Sequence, residues 1–339
     1  MATTFAPRAA FPVLDSLPRS YFLGHHRAGL SKMKTLLSTT DVIIECRDYR
    51  VPLTSRNPLL EESLGGRARL IVYTKRDLGC AERGNNLKRE RLLQKWHHPS
   101  PVMFSDHKER RDIRRILDFA REQAANSSTI TGTRMMVVGM PNVGKSSLLN
   151  ALRGLGVGKG RVARTGAQPG VTRKISTSVK IIDCSEGDSH VYLLDTPGVF
   201  IPYVPDATAM LKLALCGCVK DSIIAPTTLA DYLLFQMNKA SPTLYSEFHE
   251  PTNDILELLT AIAQKTGRLQ KGGTPDIEST AIWMIQRWRS GGLGRFILDD
   301  VDAETINEAA NPVAPSLSQA RKAGKEAIRV RNAARYAGG

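Results

Sequence analysis

A chain of 339 residues is long enough for about two domains at roughly 150 residues each, and its 42% hydrophobic and 24% charged residues are typical of a globular protein rather than a disordered or fibrous one. No apolar run reaches the roughly 18 residues that a bilayer span needs, which excludes an integral membrane protein. Lys and Arg outnumber Asp and Glu by 47 to 33, and the net charge of +14 predicts a polyanionic partner.

The N-terminal residues 1–20 have the composition of a mitochondrial targeting leader. They contain Arg8 and Arg19, many small and hydroxyl residues, and a single acid, Asp15. Basic, acid-poor segments of this kind direct import into mitochondria. An ordinary frayed terminus of the same composition is the alternative interpretation.

From residue 41 onward the sequence pattern predicts an α/β domain. Short segments rich in β-branched residues recur, and helical patterns such as Arg111–Gln123 lie between them. Apolar strands separated by helices indicate a mostly parallel sheet covered by helices. The last two strands flank a polar turn at residues 185–189 and are predicted to form an antiparallel hairpin. The six predicted strands are Val42–Cys46, Leu70–Tyr73, Val102–Phe104, Met135–Val138, Val179–Ile182 and Val191–Leu194.

Strand patterns stop after Pro205, and a smaller all-α domain is predicted to follow. Its helical patterns span Ala207–Lys220, Thr228–Asn238, Asp254–Lys265 and Ile277–Arg289. The C-terminal residues are strongly basic, since Arg321–Arg335 holds six basic residues and one acid. The predicted organisation is therefore a leader at 1–20, an α/β domain at 21–205, a helical domain at 206–295 and a basic tail at 296–339.

Residues 139–146, GMPNVGKS, match the phosphate-binding loop pattern GxxxxGK[ST] between a predicted strand and a predicted helix. Backbone N–H groups of such a loop and the helix N-terminus bind phosphate. We expect Lys145 to reach the β- and γ-phosphates and the Ser146 hydroxyl to ligate Mg²⁺. The predicted phosphate-binding residues are Asn142, Val143, Gly144, Lys145, Ser146 and Ser147.

Residues 195–198, DTPG, follow the last predicted strand and come about 50 residues after the phosphate-binding loop. A carboxylate at this position is the Mg²⁺-side acid of a P-loop hydrolase, a role that falls on Asp195. The glycine, Gly198, is placed to offer its N–H to the γ-phosphate. Between the two motifs, QPGVT supplies Thr172 as the switch threonine that completes the Mg²⁺ shell, with Thr165 as a competitor.

A base-recognition motif lies upstream of the phosphate-binding loop. GTPases read the guanine edge with the acid of [NT]KxD, which here occurs as TKRD at residues 74–77 and not after DTPG. Thr74, Lys75 and Asp77 are therefore predicted to bind the base. Ser105, at the end of the next strand, is predicted to lie behind the base, in the loop that backs it. The order is base motif, backing loop, phosphate-binding loop, switch threonine and DTPG, which is a circular permutation.

This order of motifs resembles that of the circularly permuted ribosome-assembly GTPases of the YlqF/RbgA type, and most closely their mitochondrial members. The resemblance covers roughly residues 20–290 and includes LKLALC at 211–216 and YFLGHH at 21–26, the latter similar to the FPGHM motif of the family. Thr74 stands where Asn is commoner, and Leu23 and His26 replace the Pro and Met of FPGHM.

The resemblance implies a circularly permuted P-loop GTPase domain with a C-terminal all-α domain, and GTP and Mg²⁺ as cofactors. It also implies that the chain binds the large ribosomal subunit and its rRNA in the GTP state and is released on hydrolysis. In the family, the helical domain and a basic surface contact this RNA. The nine basic residues and no acids from Arg134 to Lys180 are consistent with phosphate contacts.

Val199 occupies the position after DxxG at which Ras-type enzymes have a water-orienting Gln. The side chain of a valine cannot form a hydrogen bond with water. His25 resembles the catalytic histidine at the N-terminus of the family, so the catalytic residues implied are His25, Lys145 and Thr172. Asn142 resembles the residue that helps to hold K⁺ in potassium-activated relatives. We therefore expect slow hydrolysis that the ribosomal subunit and K⁺ stimulate.

The resemblance and the basic leader favour a mitochondrial location, peripheral on the matrix side of the inner membrane and without a transmembrane segment, over the nucleolus. Two other functions remain open at the level of sequence. One is a nucleotide-dependent RNA-binding scaffold with incidental hydrolysis. The other is a P-loop ATPase or kinase in which TKRD is accidental.

Overall fold

The computed structural model describes the greater part of the chain. The described residues are 5–12, 17, 24–65, 67–79, 83–127, 132–160, 162–163, 178–183, 190–199, 204 and 206–310. No helix in these ranges is both long and apolar enough to cross a membrane.

A six-stranded, mostly parallel sheet forms the centre of the N-terminal part, as predicted. Its strand order is β3-β2-β1-β4-β6-β5, and β5 pairs antiparallel with β6 while the other neighbours are parallel. The strands are β1 (Val42–Asp48), β2 (Arg69–Thr74), β3 (Val102–Ser105), β4 (Thr133–Gly139), β5 (Val179–Ile182) and β6 (Val191–Asp195).

The described residues also form ten α-helices. Seven of them are longer than ten residues, and five of the ten follow the last strand. The helices are α1 (Gly24–Leu37), α2 (Pro58–Leu64), α3 (Arg83–His97), α4 (Arg110–Ala125), α5 (Lys145–Val157), α6 (Ala207–Leu215), α7 (Pro226–Ala240), α8 (Ile255–Thr266), α9 (Ile277–Arg289) and α10 (Ala303–Ala310).

Helices cover both faces of the sheet, which explains why the strands are apolar without alternation. Ile44 and Val137 belong to a large core that α4, α5 and the C-terminal helices share. Ile43 and Val138 point to the opposite face, where α1 and α2 pack. The phosphate-binding loop follows β4, near the middle of this sheet, and is therefore held between two packed layers.

The first C-terminal helix, α6, ends at Leu215 and not at Lys220 as the periodicity predicts. Gly217 has φ +76° and ends the helix in a left-handed turn. The N–H of Cys218 donates to the carbonyl of Leu213, and that of Gly217 donates to Ala214. This is the hydrogen-bond pattern of a Schellman motif, so a local glycine signal overrides the apolar pattern beyond it.

Residues 5–12, within the predicted leader, pack on α7. Arg8 forms a salt bridge of 2.7 Å with Asp231, and the ring of Phe11 meets that of Tyr232 edge-on at 5.1 Å. The side-chain amide of Asn253 donates to the carbonyl of Ala6. The assignment of residues 1–20 as a leader stays a prediction, but part of this segment contributes to the folded helical region.

Residues 296–310 differ from the tail that the sequence predicts from residue 296. They return to the α/β domain and end in α10, with the N–H of Leu298 donating to the carbonyl of Arg50. The buried carboxylate of Asp299 accepts from the N–H groups of Leu53 and Thr54 at 2.9 and 2.8 Å. Residues 296–310 are therefore part of the folded structure, because the carboxylate of Asp299 binds the backbone of the first domain, while the predicted domain bounds stay a prediction. Residues 311–339 lie outside the described ranges.

Candidate active site

The phosphate-binding loop joins β4 to α5 in the way the sequence predicts. Gly144 has φ +88°, a conformation that favours glycine, and precedes the first residue of α5. The first intrahelical bond runs from the N–H of Leu148 to the carbonyl of Gly144. The N–H groups of a first helical turn point out of the N-terminus. Lys145, Ser146 and Ser147 therefore direct their backbone toward a bound anion.

Lys145 is buried within the loop that it serves. Its ammonium donates to the carbonyls of Met140 and Gly139 at 2.7 and 3.3 Å. Burial lowers the pKa of this lysine, and the carboxylate of Asp195 opposes that shift. A cation buried against neutral carbonyls is stabilised by an anionic ligand, so the site suits a polyphosphate.

Two of the predicted Mg²⁺ ligands are in direct contact. The Ser146 hydroxyl donates to a carboxylate oxygen of Asp195 at 2.6 Å. Burial raises the pKa of Asp195, which is at the end of β6 and only 1% exposed. A hydroxyl and a carboxylate are the oxygen ligands that Mg²⁺ prefers, so the pair fits this metal. The third predicted ligand, Thr172, lies outside the described residues.

The DTPG turn lies directly against the phosphate-binding loop. A β-carbon built on Gly198 would be 2.5 Å from the Cα and N atoms of Pro141, so only glycine permits this approach. The N–H of the next residue, Val199, donates to the carbonyl of Gly139 at 3.1 Å. The side-chain amide of Asn57 donates to the carbonyl of Val199. The turn that would sense the γ-phosphate is therefore bound to the loop through Val199 and Gly198 and to the N-terminus of α2 through Asn57.

The TKRD motif meets the same loop from the other side, although it lies about 70 residues upstream. The Thr74 hydroxyl is within hydrogen-bond distance of the carbonyls of Val143 and Arg47 and can donate to one of them at a time. The Lys75 ammonium donates to the carbonyl of Asn142 at 2.5 Å. The structure thus brings the predicted base motif and the predicted phosphate loop into one site.

Two polar groups of this site are buried without a hydrogen-bond partner among the described residues. They are the Oδ1 atom of Asp77 and the hydroxyl of Ser105, and Ser105 pairs with Thr74 across β2 and β3. Burial, followed by the carboxylate of Asp106, raises the pKa of Asp77. Buried polar atoms are normally paired, so these two indicate a ligand with hydrogen-bond donors, as the edge of guanine is.

An ion pair that the sequence prediction missed supports the base motif. Asp48 is fully buried at the end of β1 and accepts from Arg50 at 2.8 Å and from Lys75 at 2.9 Å. Although burial opposes it, these two cations lower the pKa of Asp48. A signal was available: β1 lies between β2 and β4, and ligands of parallel sheets bind beyond the carboxyl ends of such strands.

The helical region contacts the site at two points. The side-chain amide of Asn142 donates to the carbonyl of Cys216 at the end of α6, at 3.1 Å. The guanidinium of Arg50 lies 4.9 Å from the ring centroid of Trp288 in α9. A displacement of the phosphate-binding loop would therefore be transmitted to α6 directly.

His25 falls in the first turn of α1, a helix that packs beside the DTPG turn. Gly29, one helical turn later, is placed so that a β-carbon on it would lie 3.6 Å from Pro197. Residues four apart lie on the same face of a helix. The backbone of His25 is therefore on the face of α1 that approaches the DTPG turn.

Comparison with known proteins agrees with this site. The family model described as "50S ribosome-binding GTPase" matches residues 134–266. The chain is 37% identical to "Mitochondrial GTPase 1" of Schizosaccharomyces pombe over 310 residues, which cover 86% of this chain and 92% of that protein. It is 35% identical to "Mitochondrial ribosome-associated GTPase 1" of Xenopus tropicalis, over 88% and 100% of the two chains. The chain belongs to the mitochondrial GTPase 1 family.

A solved structure supports the fold of this mitochondrial GTPase 1 family member. GNP-bound YlqF from T. maritima is 21% identical, covers 80% of this chain and 97% of its own, and has a TM-score of 0.55. As a member of this family the chain is a GTPase that binds GTP. The permuted order of its motifs is now explained by topology, because β1, β2 and β3 precede the phosphate-binding loop in sequence and extend the same sheet.

Proposed function

We propose that this GTPase is an assembly factor of the mitochondrial large ribosomal subunit, which binds the rRNA of that subunit in the GTP state and is released on hydrolysis. The contact between Asn142 of the phosphate-binding loop and Cys216 of α6 carries this proposal. Through it, the nucleotide bound to the first domain affects a second, helical domain, as a switch requires. The relative from Xenopus tropicalis is named a ribosome-associated GTPase, and this name supports the ribosome as the partner.

The residues that would assist hydrolysis have distinct roles. Lys145 and the N–H of Gly198 stabilise charge on the γ-phosphate, while Ser146, Asp195 and Thr172 hold Mg²⁺, which neutralises that charge when bound. The Val199 side chain is buried in the apolar cluster under α1 and leaves the attacking water without a partner. His25 supplies that partner from the first turn of α1. Hydrolysis is therefore slow alone and faster on the subunit.

K⁺ is part of the same proposal. Asn142 has φ +56°. Its backbone carbonyl accepts from the Lys75 ammonium, and its side-chain amide donates to the carbonyl of Cys216, which leaves its side-chain oxygen. A residue fixed in this way can present its remaining oxygen to a monovalent cation beside the phosphates. We expect K⁺ to raise the rate of hydrolysis relative to Na⁺ at equal ionic strength.

The proposed location is the mitochondrial matrix, with peripheral association at the inner membrane; the nucleolus is the alternative. The names of the relatives support mitochondria. The proposed division of labour assigns GTP to residues 21–205 and subunit contact to the helical domain together with basic surfaces of the chain.

Sedimentation with purified mitochondrial large subunits tests the function. The chain is mixed with subunits in the presence of GTP, a non-hydrolysable analogue or GDP. We expect co-sedimentation with the analogue and release with GDP. A nucleotide-dependent scaffold with incidental hydrolysis, which the apolar Val199 favours, would be released as readily with the analogue as with GTP, because its release would not need hydrolysis. Such release, or binding that does not depend on the nucleotide, would refute the switch.

Two histidine variants test the assignment of His25 as a catalytic residue. His25→Ala should lower the subunit-stimulated rate of hydrolysis by about 10²–10⁴-fold, the usual contribution of a general base, while GTP affinity is unchanged. His26→Ala, the neighbouring residue on the same helix, is the matched control and should retain the stimulated rate. Equal rates for the two variants would remove His25 from the mechanism.

A further inference from the structure

The positive charge of the chain lies almost entirely in the GTPase domain. Residues 21–205 contain 30 basic and 17 acidic residues, a net charge of +13. Residues 206–295 contain nine of each, a net charge of zero. Affinity for a polyanion depends on clustered cations. The helical domain, which the family resemblance implicates in RNA contact, therefore has no excess charge for phosphate binding.

Arginines that stabilise the fold of this domain are paired with carboxylates. Arg47 and Arg50 are fully buried and bind Glu45 and Asp48 at 2.7 and 2.8 Å. Further pairs join Arg56 to Glu61, Arg69 to Glu45 and Arg76 to Glu90. Each of these five arginines thus has a carboxylate counter-ion.

Helix α4 is different. Four arginines of its first two turns are exposed, and the ion pair that α4 forms among the described residues joins Arg121 to Asp118 instead. The carboxylate of Asp112 accepts from the backbone N–H of Asp106, at the loop before the helix. Asp112 and Asp118, two acids of the helix, are thus engaged locally. The four exposed arginines, called the arginine face below, are Arg110, Arg111, Arg114 and Arg115.

The arginine face lies opposite the buried face of the helix. Arg110 and Arg114, and likewise Arg111 and Arg115, are four residues apart and adjoin along the helix. The opposite side is buried against the sheet through Ile113, Ile116, Leu117 and Ala120. Cations near a helix N-terminus oppose the helix dipole, so helix stability does not account for arginines at this end.

We propose that the arginine face of α4 binds the phosphate backbone of the RNA partner. This inference rests on the proposed function and deepens it, because it names the arginine face of α4 as one of the basic surfaces through which the chain contacts the subunit. The face borders a groove of about 270 Å³ between α4 and α5, which Lys108 and Arg110 line on one side and Ala151 and Leu155 on the other. A row of cations beside a groove is suited to bind the phosphates along the backbone of a nucleic-acid strand.

An anionic membrane would need a different surface. Helices that bind bilayers place large apolar side chains next to their cations. Among the described residues, the exposed large apolar side chains belong to other elements, and none lies on α4. The arginine face therefore fits a polyanion in solution. It begins five residues after Ser105, so the bound RNA lies close to the loop that backs the base.

Fluorescence anisotropy with a labelled RNA hairpin of about 20 base pairs tests the proposal at increasing salt, using the full chain with a GTP analogue. The test variant replaces the four arginines of the face with Gln. The control variant removes the same charge from exposed residues of the helical region, and it replaces Lys220, Lys271, Arg287 and Arg295 with Gln. Thermal melting and GTP binding confirm that both variants are folded.

The two variants should differ clearly. If all four arginines bind phosphate, the slope of log affinity against log salt should fall by about 3 to 4 in the test variant, and affinity near 0.1 M salt should fall at least about tenfold. The control should keep the wild-type slope to within about one unit. Equal losses in both variants, or a larger loss in the control, would overturn the proposal.

Vesicles containing cardiolipin and purified large subunits distinguish the remaining outcomes. If the test variant loses binding to vesicles but keeps binding to RNA, the face binds membranes and the proposal is wrong. If the test variant still sediments with subunits at wild-type salt sensitivity, the arginine face is not the RNA site, although the proposed function stands. If the wild-type chain binds neither hairpin nor subunit, the proposed function fails as well.

Discussion

Replacing Gly198 with Ala should separate the DTPG turn from the phosphate-binding loop. The added β-carbon would lie 2.5 Å from both the Cα and the N atoms of Pro141, and 3.0 Å from the carbonyl carbon of Met140. All three neighbours are backbone atoms, so no side-chain rotation relieves the contact. To reach an ordinary separation of 3.4 Å the turn must move by about 0.9 Å.

A displacement of this size has consequences for both stability and chemistry. Overpacking of a buried contact costs about 1–3 kcal/mol, and about 2 kcal/mol lowers the melting temperature of a chain this large by roughly 3 °C. The hydrogen bond from Val199 to Gly139 would weaken, and Gly198 would no longer reach the γ-phosphate. A misplacement of about 1 Å at a catalytic group can cost 10²-fold in rate. We therefore expect subunit-stimulated hydrolysis to fall about 100-fold.

Gly154→Ala is the matched control for this prediction. Gly154 is exposed in α5, and a β-carbon on it meets no atom within 4 Å. Ala is favoured over Gly inside a helix by about 0.5–1 kcal/mol, so this variant should melt slightly higher than the wild type and keep its rate. Scanning calorimetry and phosphate release measure the two effects. If Gly198→Ala behaves as Gly154→Ala does, the close approach of turn and loop is wrong.

Three further predictions concern the base motif. Thr74→Val leaves the carbonyl of Val143 without its donor and should lower the free energy of unfolding by about 1–3 kcal/mol, measured by urea denaturation. Arg50→Met deprives buried Asp48 of its closer cation and should cost about 3 kcal/mol; an unchanged melting temperature would contradict this. Because burial raises the pKa of Asp77 and guanine needs its ionised form, GTP affinity should begin to fall at a higher pH than an ordinary aspartate would give, and calorimetric titration at decreasing pH checks this.

Much of the α/β domain was predictable because its signals are local. The six strands are mostly apolar segments, and GMPNVGKS and DTPG begin at the carboxyl ends of two of them. Each motif depends on backbone geometry at its own position, such as the left-handed Gly144. It was predictable that Thr74 and Val143 lie close together, since Thr74 ends one strand of the parallel sheet and Val143 follows another. The hydrogen bond between them was not predictable.

Other parts depend on partners that are distant in sequence. Nothing near Asp299 in the sequence indicates that it accepts from the backbone of Leu53 and Thr54, and therefore the sequence predicts a tail from residue 296. Arg8 contributes to the basic, acid-poor composition that predicts a leader. In the structure it forms a salt bridge with Asp231, more than two hundred residues away. Pairing over such distances is decided by tertiary packing and not by local propensity.

The central claim is that TKRD and the phosphate-binding loop form one guanine-specific site, and nucleotide competition tests it most directly. Affinities for GTP, ATP and XTP are measured with the wild-type chain and with Asp77→Asn. Two hydrogen bonds to an ionised carboxylate, at about 1.5–3 kcal/mol each, predict that the wild type prefers GTP over ATP by roughly 10²–10⁴-fold. Asp77→Asn should lose this preference and favour XTP, whose C2 carbonyl accepts from the amide. Equal affinity of the wild type for GTP and ATP would contradict the account.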